Sequence, residues 1–268
     1  MSVLTAQGAG VRHRRRWLFR DLDVTIEPGE LVAVVGPPGS GRTTLLLALA
    51  GRFRLSAGKV TLSGAAALGY VPEVEAPEPV FTVAEHVRER LALLGRPRGA
   101  AAEVPLHGLD PTVPGRDLTP YQKQVLGLVL AGLSRPDVLA LDGLDDGLDT
   151  AEQADLWHLL GELTAAGTAV LITAREVDPA RVSTVIRLGS PREPTTEVLP
   201  HEPKAPAKEN EWSRPEPDAP QTSRTSKQPA PGNGSDGVPE EEPAAEDSAG
   251  ILPAAEAAEP AGKDGEKS

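Results

Sequence analysis

The chain has 268 residues, no cysteine and a formal net charge of −12. The absence of cysteine excludes disulfide partners and thiolate metal sites, and no apolar run approaches the roughly 18 residues that a membrane-spanning helix requires. The first residues lack the basic-then-apolar order of a secretory signal, so we expect a cytoplasmic protein whose membrane functions are supplied by another chain.

The first informative element is a glycine-rich segment between two apolar runs. Residues 31–35 are five consecutive aliphatic residues, typical of a buried strand, and residues 45–49 are typical of a buried helix. The segment between them has the spacing G-x-x-x-x-G-basic-T of a phosphate-binding loop. Glycines there let backbone N–H groups and a helix N-terminus point at phosphate oxygens. The predicted nucleotide-binding residues are Gly36, Pro37, Pro38, Gly39, Ser40, Gly41, Arg42, Thr43 and Thr44.

Capping residues indicate where the next two helices begin. Thr82 and Glu85 have the spacing of a capping box ahead of an amphipathic helix. Thr119 is a capping residue followed by Pro120 at a first helical position. Residues 95–117, between these two helices, are rich in Gly, Pro and Ala and lack periodicity, so we expect a loop there.

Three further apolar segments follow. Residues 138–141, 169–173 and 184–188 predict short buried strands. Between the first two, leucines at i, i+4 and i+7 predict a helix that is buried along one stripe, and Gly167 has the position of its left-handed cap. The alternation of strands and helices predicts an α/β fold, with a mainly parallel sheet flanked by helices.

The last part of the chain differs in composition. Residues 196–268 contain 16 acidic residues, seven basic residues and 12 prolines, a net charge of −9 that leaves −3 for residues 1–195. Such a segment buries too little apolar surface to offset chain entropy. We therefore predict one folded domain over residues 1–195 and a disordered acidic tail over residues 196–268. The tail is either solvated chain or a tether for a basic partner, anchored by Trp212 or residues 251–252, and its charge argues against nucleic acid as the main partner.

The segment that begins with the second predicted strand carries a family resemblance. Its four apolar residues are followed by Asp142, and it ends in Gly147, Leu148 and Asp149. Residues 138–149 resemble the Walker B strand and D-loop of ATP-binding cassette (ABC) proteins. Asp142 is then the aspartate associated with Mg²⁺.

Other motifs of that family occur in the expected order. Residues 23–30 resemble the stretch before the first core strand, residues 69–73 the Q-loop, and residues 81–87 the segment after it. The signature position is occupied by Leu118, Thr119, Pro120, Tyr121 and Gln122. The resemblance covers residues 12–190, and motifs in this order are far more specific than a single glycine-rich loop. It implies a P-loop NTPase of ABC type.

The resemblance also implies that ATP and Mg²⁺ bind between two paired cassettes. Thr43 and Asp142 would contact the metal. His13 falls near the adenine-stacking aromatic of the family, although one more polar residue in a basic turn is an equal interpretation. Arg42 and Leu118 are 76 positions apart, which is short for the family, so we expect a shortened helical subdomain.

Groups that the family uses for hydrolysis are replaced. Gly143 is at the position of the catalytic glutamate, Ala174 at that of the switch histidine, and Glu73 at that of the Q-loop glutamine. Arg42 replaces the phosphate-loop lysine, and a guanidinium pairs well with phosphate but is a larger planar group than an ammonium. Binding groups survive better than catalytic groups, so we expect hydrolysis to be slow or absent.

Nearby residues offer partial substitutes. We expect the D-loop path to carry Asp145 and Asp146 away from the γ-phosphate, and Arg175 to reach it only if its loop shifts. In the signature, Pro120 removes a backbone N–H and Tyr121 adds bulk where glycine lets backbone approach phosphate. Contact with the ATP of the opposite cassette should therefore be weakened.

These residues favour an ATP-binding subunit that pairs with a second cassette, either a copy of itself or a more complete paralogue. It would couple to a separate membrane permease at the inner face of the cell membrane. Two alternatives stay open. One is an active ATPase subunit in which Asp145, Glu73 or Arg175 restores the chemistry. The other is a soluble regulatory or scaffold protein that uses ATP as a conformational ligand. The transported substrate is not readable, because specificity in this family resides in the membrane subunit.

Overall fold

The apolar segments predicted as strands lie side by side in a six-stranded sheet. A computed structural model describes residues 1–190 and 193–200 of the chain. In spatial order the strands are β5 (Ala66–Leu68), β6 (Val138–Leu141), β7 (Ala169–Ala174), β3 (Leu31–Val35), β8 (Thr184–Ser190) and β9 (Glu193–Pro200). Neighbouring strands are parallel from β5 to β8, and β9 is antiparallel to β8. The predicted mainly parallel sheet is confirmed.

A second sheet, which we did not predict, is formed by the N-terminal part of the chain. It is antiparallel, with the order β2 (Arg16–Ile26), β1 (Leu4–His13) and β4 (Ala57–Leu62). In β2 a signal was available, because Leu22, Val24 and Ile26 are buried and alternate with polar residues. In β1 the signal is weak, because the strand is rich in Gly and Ala and its register with β2 shifts at several points.

The helices begin where the capping residues predicted. Within the described residues the α-helices are α1 (Arg42–Leu49), α2 (Val83–Leu93), α3 (Pro120–Gly132) and α4 (Thr150–Ala165). The predicted caps at Thr82 and Thr119 are complete capping boxes, and an unpredicted third one begins α4 at Asp149. Gly167 follows α4 with φ 95°, the left-handed conformation expected of it.

The segment between α2 and α3 is short. Residues 98–103 and 115–117 form short 3-10 helices, and the described remainder is irregular. The small cluster of Val87, Leu91 and Val129 packs α2 against α3. This arrangement agrees with the shortened helical subdomain that we expected. None of the helices in residues 1–190 and 193–200 is long and apolar enough to cross a membrane.

The parallel sheet has a cluster of buried hydrophobic side chains on each of its two faces. One cluster, which includes Leu22 and Leu46, joins the two sheets and α1. The other, which includes Leu141 and Leu156, lies where α3 and α4 cover the sheet. The carboxyl ends of β3, β6 and β7 meet at one edge, because these strands are parallel and paired in register. That edge brings the phosphate loop, Asp142 and Ala174 together.

The last strand corrects the boundary that composition suggested. Residues 196–200, assigned to the tail, belong to β9, in which Val198 pairs with Ile186 and packs against the core. Its inward face consists of Pro194, Thr196 and Val198, which are half-buried, and a single large apolar residue gives no period-2 signal. The rest of the predicted tail, residues 201–268, lies outside the described residues.

Candidate functional site

The phosphate loop connects β3 to α1 through two glycine positions that no other residue fits easily. Gly41 has φ 97° and directly precedes α1, and a Cβ at Gly36 would lie 2.8 Å from the hydroxyl of Ser40. That hydroxyl is buried and has no hydrogen-bond partner among the described residues. The first turn of α1 contains no acidic residue, so its N-terminal dipole is available to an anion. Arg42 is half-buried in that turn.

Asp142 lies at the end of β6 and is held by hydroxyl groups from two other elements. The hydroxyl of Thr43 donates to Oδ2 at 2.7 Å, and the hydroxyl of Thr173, at the end of β7, donates to Oδ1. The backbone N–H of Gly143 in turn donates to the Thr173 hydroxyl at 2.8 Å. Asp142 is 8% exposed, so its carboxylate is directed at the phosphate loop by nearly buried neighbours.

Gln124 and Thr173 are site residues that sequence analysis missed. The amide of Gln124 donates to the carbonyl of Asp142 at 2.9 Å and to that of Gly143 at 3.3 Å. It is 1% exposed, and its own carbonyl oxygen has no partner among the described residues. The available signal was a glutamine in the middle of an apolar helix, where a buried amide needs partners. These hydrogen bonds hold the backbone of residues 142 and 143 in place and so help to position the Asp142 carboxylate.

The pair formed by Thr43 and Asp142 fits Mg²⁺. Magnesium takes oxygen ligands at about 2.0–2.1 Å and keeps one or two protein ligands besides water and phosphate. Two adjacent ligands of an octahedral ion would be about 3 Å apart, close to the 2.7 Å that separates these two oxygens. In the described part of the chain no three His, Cys, Asp or Glu side chains converge on a possible metal site.

The backbone at Gly143 has a conformation that disfavours any side chain, including the glutamate that the family has at this position. Its φ is 67°, and a Cβ would lie 2.8 Å from Oδ2 of Asp146. A turn causes this approach, because the N–H of Asp146 donates to the carbonyl of Gly143 at 3.1 Å. The carboxylate of Asp146 therefore lies close to residue 143. The expectation that the D-loop path carries Asp145 and Asp146 away from the γ-phosphate stays a prediction.

Arg175 is engaged by the D-loop. Its backbone N–H donates to Oδ2 of Asp145 at 3.0 Å, and its guanidinium donates to Oδ1 of Asp146 at 3.1 Å. Both side chains of the ion pair are exposed. Ala174, at the predicted switch position, is buried. The segments after β6 and β7 are thus tied to each other by two bonds.

Glu73 lies apart from this network. It is exposed at the tip of a tight turn with φ 63°, and the turn is closed where the N–H of Glu75 donates to the carbonyl of Val71 at 2.8 Å. Among the described residues, no hydrogen bond connects it to Asp142. The turn is nevertheless anchored nearby, because the N–H of Asp142 donates to the carbonyl of Tyr70 at 3.0 Å. Burial, and secondarily the charge of Asp142, raise the pKa of the Tyr70 phenol.

The signature residues begin α3 beside the D-loop. Leu118 is buried, and Thr119 and Gln122 exchange hydrogen bonds as the cap of the helix. A Cβ at Gly147 would lie 3.2 Å from the ring of Pro120, so the two motifs are in close contact. Tyr121 packs its ring into both clusters that flank α3, and burial is the main reason that its pKa is raised. In the D-loop, Leu148 packs against the hydrophobic cluster under α3 and α4, and Asp149 caps α4.

His13 ends β1 at the turn of the N-terminal hairpin. It is exposed and pairs with Arg16 across the turn. The hairpin lies beside the phosphate loop, since a Cβ at Gly41 would lie 3.0 Å from that of Leu18. The predicted adenine-stacking role of His13 stays a prediction.

A glycine-rich loop between a parallel strand and a helix, facing an aspartate at the end of β6, the next strand but one in the same sheet, defines a P-loop nucleotide-binding fold. Residues 19–144 match the family profile described as "ABC transporter". Over 184 residues the chain is 33% identical to the zinc import ATP-binding protein ZnuC of Jannaschia sp. (strain CCS1), covering 66% of this chain and 74% of that protein. It is 32% identical over 180 residues to the zinc import ATP-binding protein ZnuC of Ruegeria pomeroyi, and the match covers 65% of this chain and 70% of that protein.

Solved structures agree on the fold. The dimeric structure of MJ0796, a bacterial ABC transporter cassette, superposes with a TM-score of 0.63 at 17% identity, covering 74% of this chain and 98% of that one. CbiO1 from Clostridium perfringens, part of the ABC transporter complex cbiONQ, superposes with a TM-score of 0.60 at 18% identity. The match covers 69% of this chain and 84% of that one. The chain belongs to the ABC transporter ATP-binding family.

Proposed function

We propose that this chain holds Mg·ATP between itself and a second cassette, with little or no hydrolysis of its own. One contrast within the site supports this most directly. The hydroxyl of Thr43 and the carboxylate of Asp142 are adjacent, 2.7 Å apart, and could bind one Mg²⁺ together. In contrast, Gly143 has no carboxylate, and the side chain of Ala174 has no hydrogen-bonding group. General bases and water-positioning groups contribute roughly 10²–10⁴-fold each, so a site without both would turn over very slowly.

Each binding residue has a definite task in this proposal. Backbone N–H groups of residues 36–44 and the guanidinium of Arg42 would bind phosphate oxygens. The hydroxyl of Thr43 and the carboxylate of Asp142 would hold Mg²⁺, which neutralises phosphate charge when bound. Thr173 and Gln124 would keep Asp142 in place.

The deciding experiment is to incubate the purified chain with Mg·ATP, re-isolate it and identify the retained nucleotide. Intact ATP after hours, lost in Arg42→Ala, would support a binding-competent and catalytically silent cassette. ADP formed above the level of an Asp142→Asn control would overturn the proposal.

One observation favours an active ATPase as the second candidate. The carboxylate of Asp146 lies where a side chain at residue 143 would begin, so it is a candidate for the missing water-positioning group. If this candidate is correct, the wild-type chain hydrolyses ATP and Asp146→Asn abolishes it, whereas the exposed Asp155→Asn does not.

We further propose that the permease contacts a groove beside α2. The groove has a volume of about 210 Å³ and is lined by Glu78, Glu89 and Leu93, among others. Leu93 is 75% exposed at its rim, and Glu75 is already paired with Arg90 at 2.7 Å. The remaining carboxylates suit a permease segment with one apolar and one basic side chain. Leu93→Asp should abolish co-purification of the permease but leave ATP retention unchanged, whereas loss of ATP retention would indicate misfolding.

The similarity to zinc import proteins makes uptake of a divalent metal the transport function that we propose to test first. A permease that co-purifies with the chain should support zinc uptake in vesicles when both the chain and a hydrolysing cassette are present. Uptake that does not change when the chain is omitted would exclude this role.

A further inference from the structure

His86 is a buried histidine that the proposed ATP site does not use. It lies near the start of α2 and is 5% exposed. Each of its ring nitrogens meets a backbone group: the N–H of Glu78 lies 2.8 Å from Nε2, and the carbonyl oxygen of Thr82 lies 2.8 Å from Nδ1. The ring also meets that of Phe81 edge-on, with 5.6 Å between their centroids. These contacts hold the segment before α2 against the helix.

The two hydrogen bonds fix the protonation state of the ring. A backbone N–H can only donate, so Nε2 accepts from Glu78 and carries no proton. A carbonyl oxygen can only accept, so Nδ1 carries the proton and donates to Thr82. The structure therefore requires a neutral ring in the Nδ1–H tautomer. A second proton can bind only at Nε2, where it would remove the acceptor of the Glu78 N–H.

Residues 78–82, which we call the bridging segment, lie between the groove beside α2 and the signature. Glu78 lines that groove together with the histidine. On the other side, the N–H of Gly115 donates to the carbonyl of Phe81 at 2.8 Å. Gly115 begins the short 3-10 helix that directly precedes the signature residues. The bridging segment thus contacts both the proposed permease groove and the loop that leads into the signature.

Charged groups surround His86 on three sides. They are Glu85, Glu89 and Arg90 on α2, Tyr70, Glu75 and Glu78 on the chain before it, and Arg116 and Asp117 on the 3-10 helix. Glu75 is paired with Arg90 at 2.7 Å, and Glu85 is bonded to the cap of α2. Within residues 1–190 and 193–200, no ion pair engages the carboxylates of Glu78 and Glu89. The groove therefore contains carboxylates that would attract a charged imidazole.

We propose that His86 is a proton-operated clasp, which releases the bridging segment when its ring becomes charged and so makes permease contact depend on pH. Histidine is the side chain that ordinarily changes charge between about pH 5 and 8. A proton on Nε2 would face the N–H of Glu78, so two donors would meet and the bond would be lost. The carboxylates of the groove would then stabilise the charged ring in an open conformation. The clasp is closed while the ring is neutral and opens as pH falls. Its effect on the permease rests on the groove contact proposed above, whereas the clasp itself does not.

The first test follows the ring and its bond together by NMR. At about pH 8 we expect the Nδ1–H tautomer in nitrogen spectra, with the signal assigned by its absence in His86→Gln. At about pH 5.5 the ring should be charged, and protection of the Glu78 amide from hydrogen exchange, corrected for the intrinsic effect of pH, should fall about tenfold. The control is the Gln153 amide, which is bonded to Asp149 in α4 and should keep its protection. A ring that stays neutral in the folded chain, or a Glu78 amide that stays protected once the ring is charged, would overturn the proposal.

The second test measures the mobility of the bridging segment. The chain has no cysteine and Val80 is 66% exposed, so Val80→Cys accepts a nitroxide label at a single position. We expect label mobility to rise on acidification, but not in His86→Gln, whose Oε1 can accept from Glu78 without taking up a proton. The matched control His158→Gln, at an exposed histidine of α4, should leave the rise unchanged. No rise, or a rise that persists in His86→Gln, would contradict the clasp.

The third test connects the clasp to the permease. The permease that co-purifies with the full chain at about pH 8 should be retained roughly fivefold less at about pH 6, and His86→Gln should remove this difference. Equal loss in the wild type and in His86→Gln would show that the clasp does not control the contact. If no permease co-purifies at either pH, the proposed groove contact is wrong, whereas the NMR and label tests still decide whether the clasp opens.

Discussion

At the scale of single residues, the hydroxyl of Thr173 joins the ends of two strands. It donates to Asp142 and accepts from the N–H of Gly143, in a place where it is 2% exposed. Thr173→Val keeps the shape but leaves that N–H unpaired, which should lower the free energy of unfolding by about 1–3 kcal/mol. It should also weaken ATP binding, because Asp142 loses a positioning bond. Denaturant unfolding and nucleotide titration test both effects. Thr173→Ser, which retains the hydroxyl, should resemble the wild type.

Gly143 provides a second prediction at this scale. Restoring the family's glutamate by Gly143→Glu should not restore hydrolysis, because the left-handed backbone and the carboxylate of Asp146 both oppose it. Gly143→Ala isolates the backbone effect and should cost about 1–2 kcal/mol of stability. The control is Gly161→Ala in α4, where nothing lies within 4 Å of a new Cβ, and it should stabilise the helix by about 0.5–1 kcal/mol. Measured ATPase activity in Gly143→Glu would contradict the prediction.

At the scale of elements, the cap of α2 should make stability depend on pH. Hydrogen bonds from the backbone and then the side chain of Thr82 hold the pKa of Glu85 below its usual value of 4.5. A lowered pKa means that the stabilisation is complete above pH 4.5 and is lost as pH falls through the lower value. Unfolding of the wild type and Glu85→Gln, compared from pH 7 to pH 3, should show a difference that shrinks on acidification. A constant difference would exclude the carboxylate as its source.

At the scale of the whole molecule, β9 determines where the folded domain ends. A chain that ends at residue 195 lacks Val198, which packs on the core, and leaves the edge of β8 unpaired. We expect it to lose about 1–2 kcal/mol, which corresponds to about 2–8 °C in Tm for a domain of this size. A chain that ends at residue 200 should keep the Tm of the full protein. Equal Tm values for both truncations would show that residues 196–200 do not stabilise the domain.

The elements that sequence analysis predicted correctly are those whose signals are local. Thr82 and Thr119 cap helices through bonds to residues three positions away, and the segments at β3, β6 and β7 are continuously apolar because both faces are covered. β1 and β9 were missed for the opposite reason. Their stability depends on partners far along the chain, and neither has an apolar alternation that shows which face is buried.

The sequence by itself determined the order of the motifs, the phosphate loop and the absence of a side chain at Gly143. These follow from residue identity and spacing, which do not depend on the rest of the fold. The tertiary structure alone decided that Thr43 meets Asp142, that Gln124 and Thr173 support it, and that Arg175 pairs with Asp146. Each of these contacts joins residues that are 18 to 99 positions apart. Such distances close only when parallel strands bring their carboxyl ends to the same edge of one sheet.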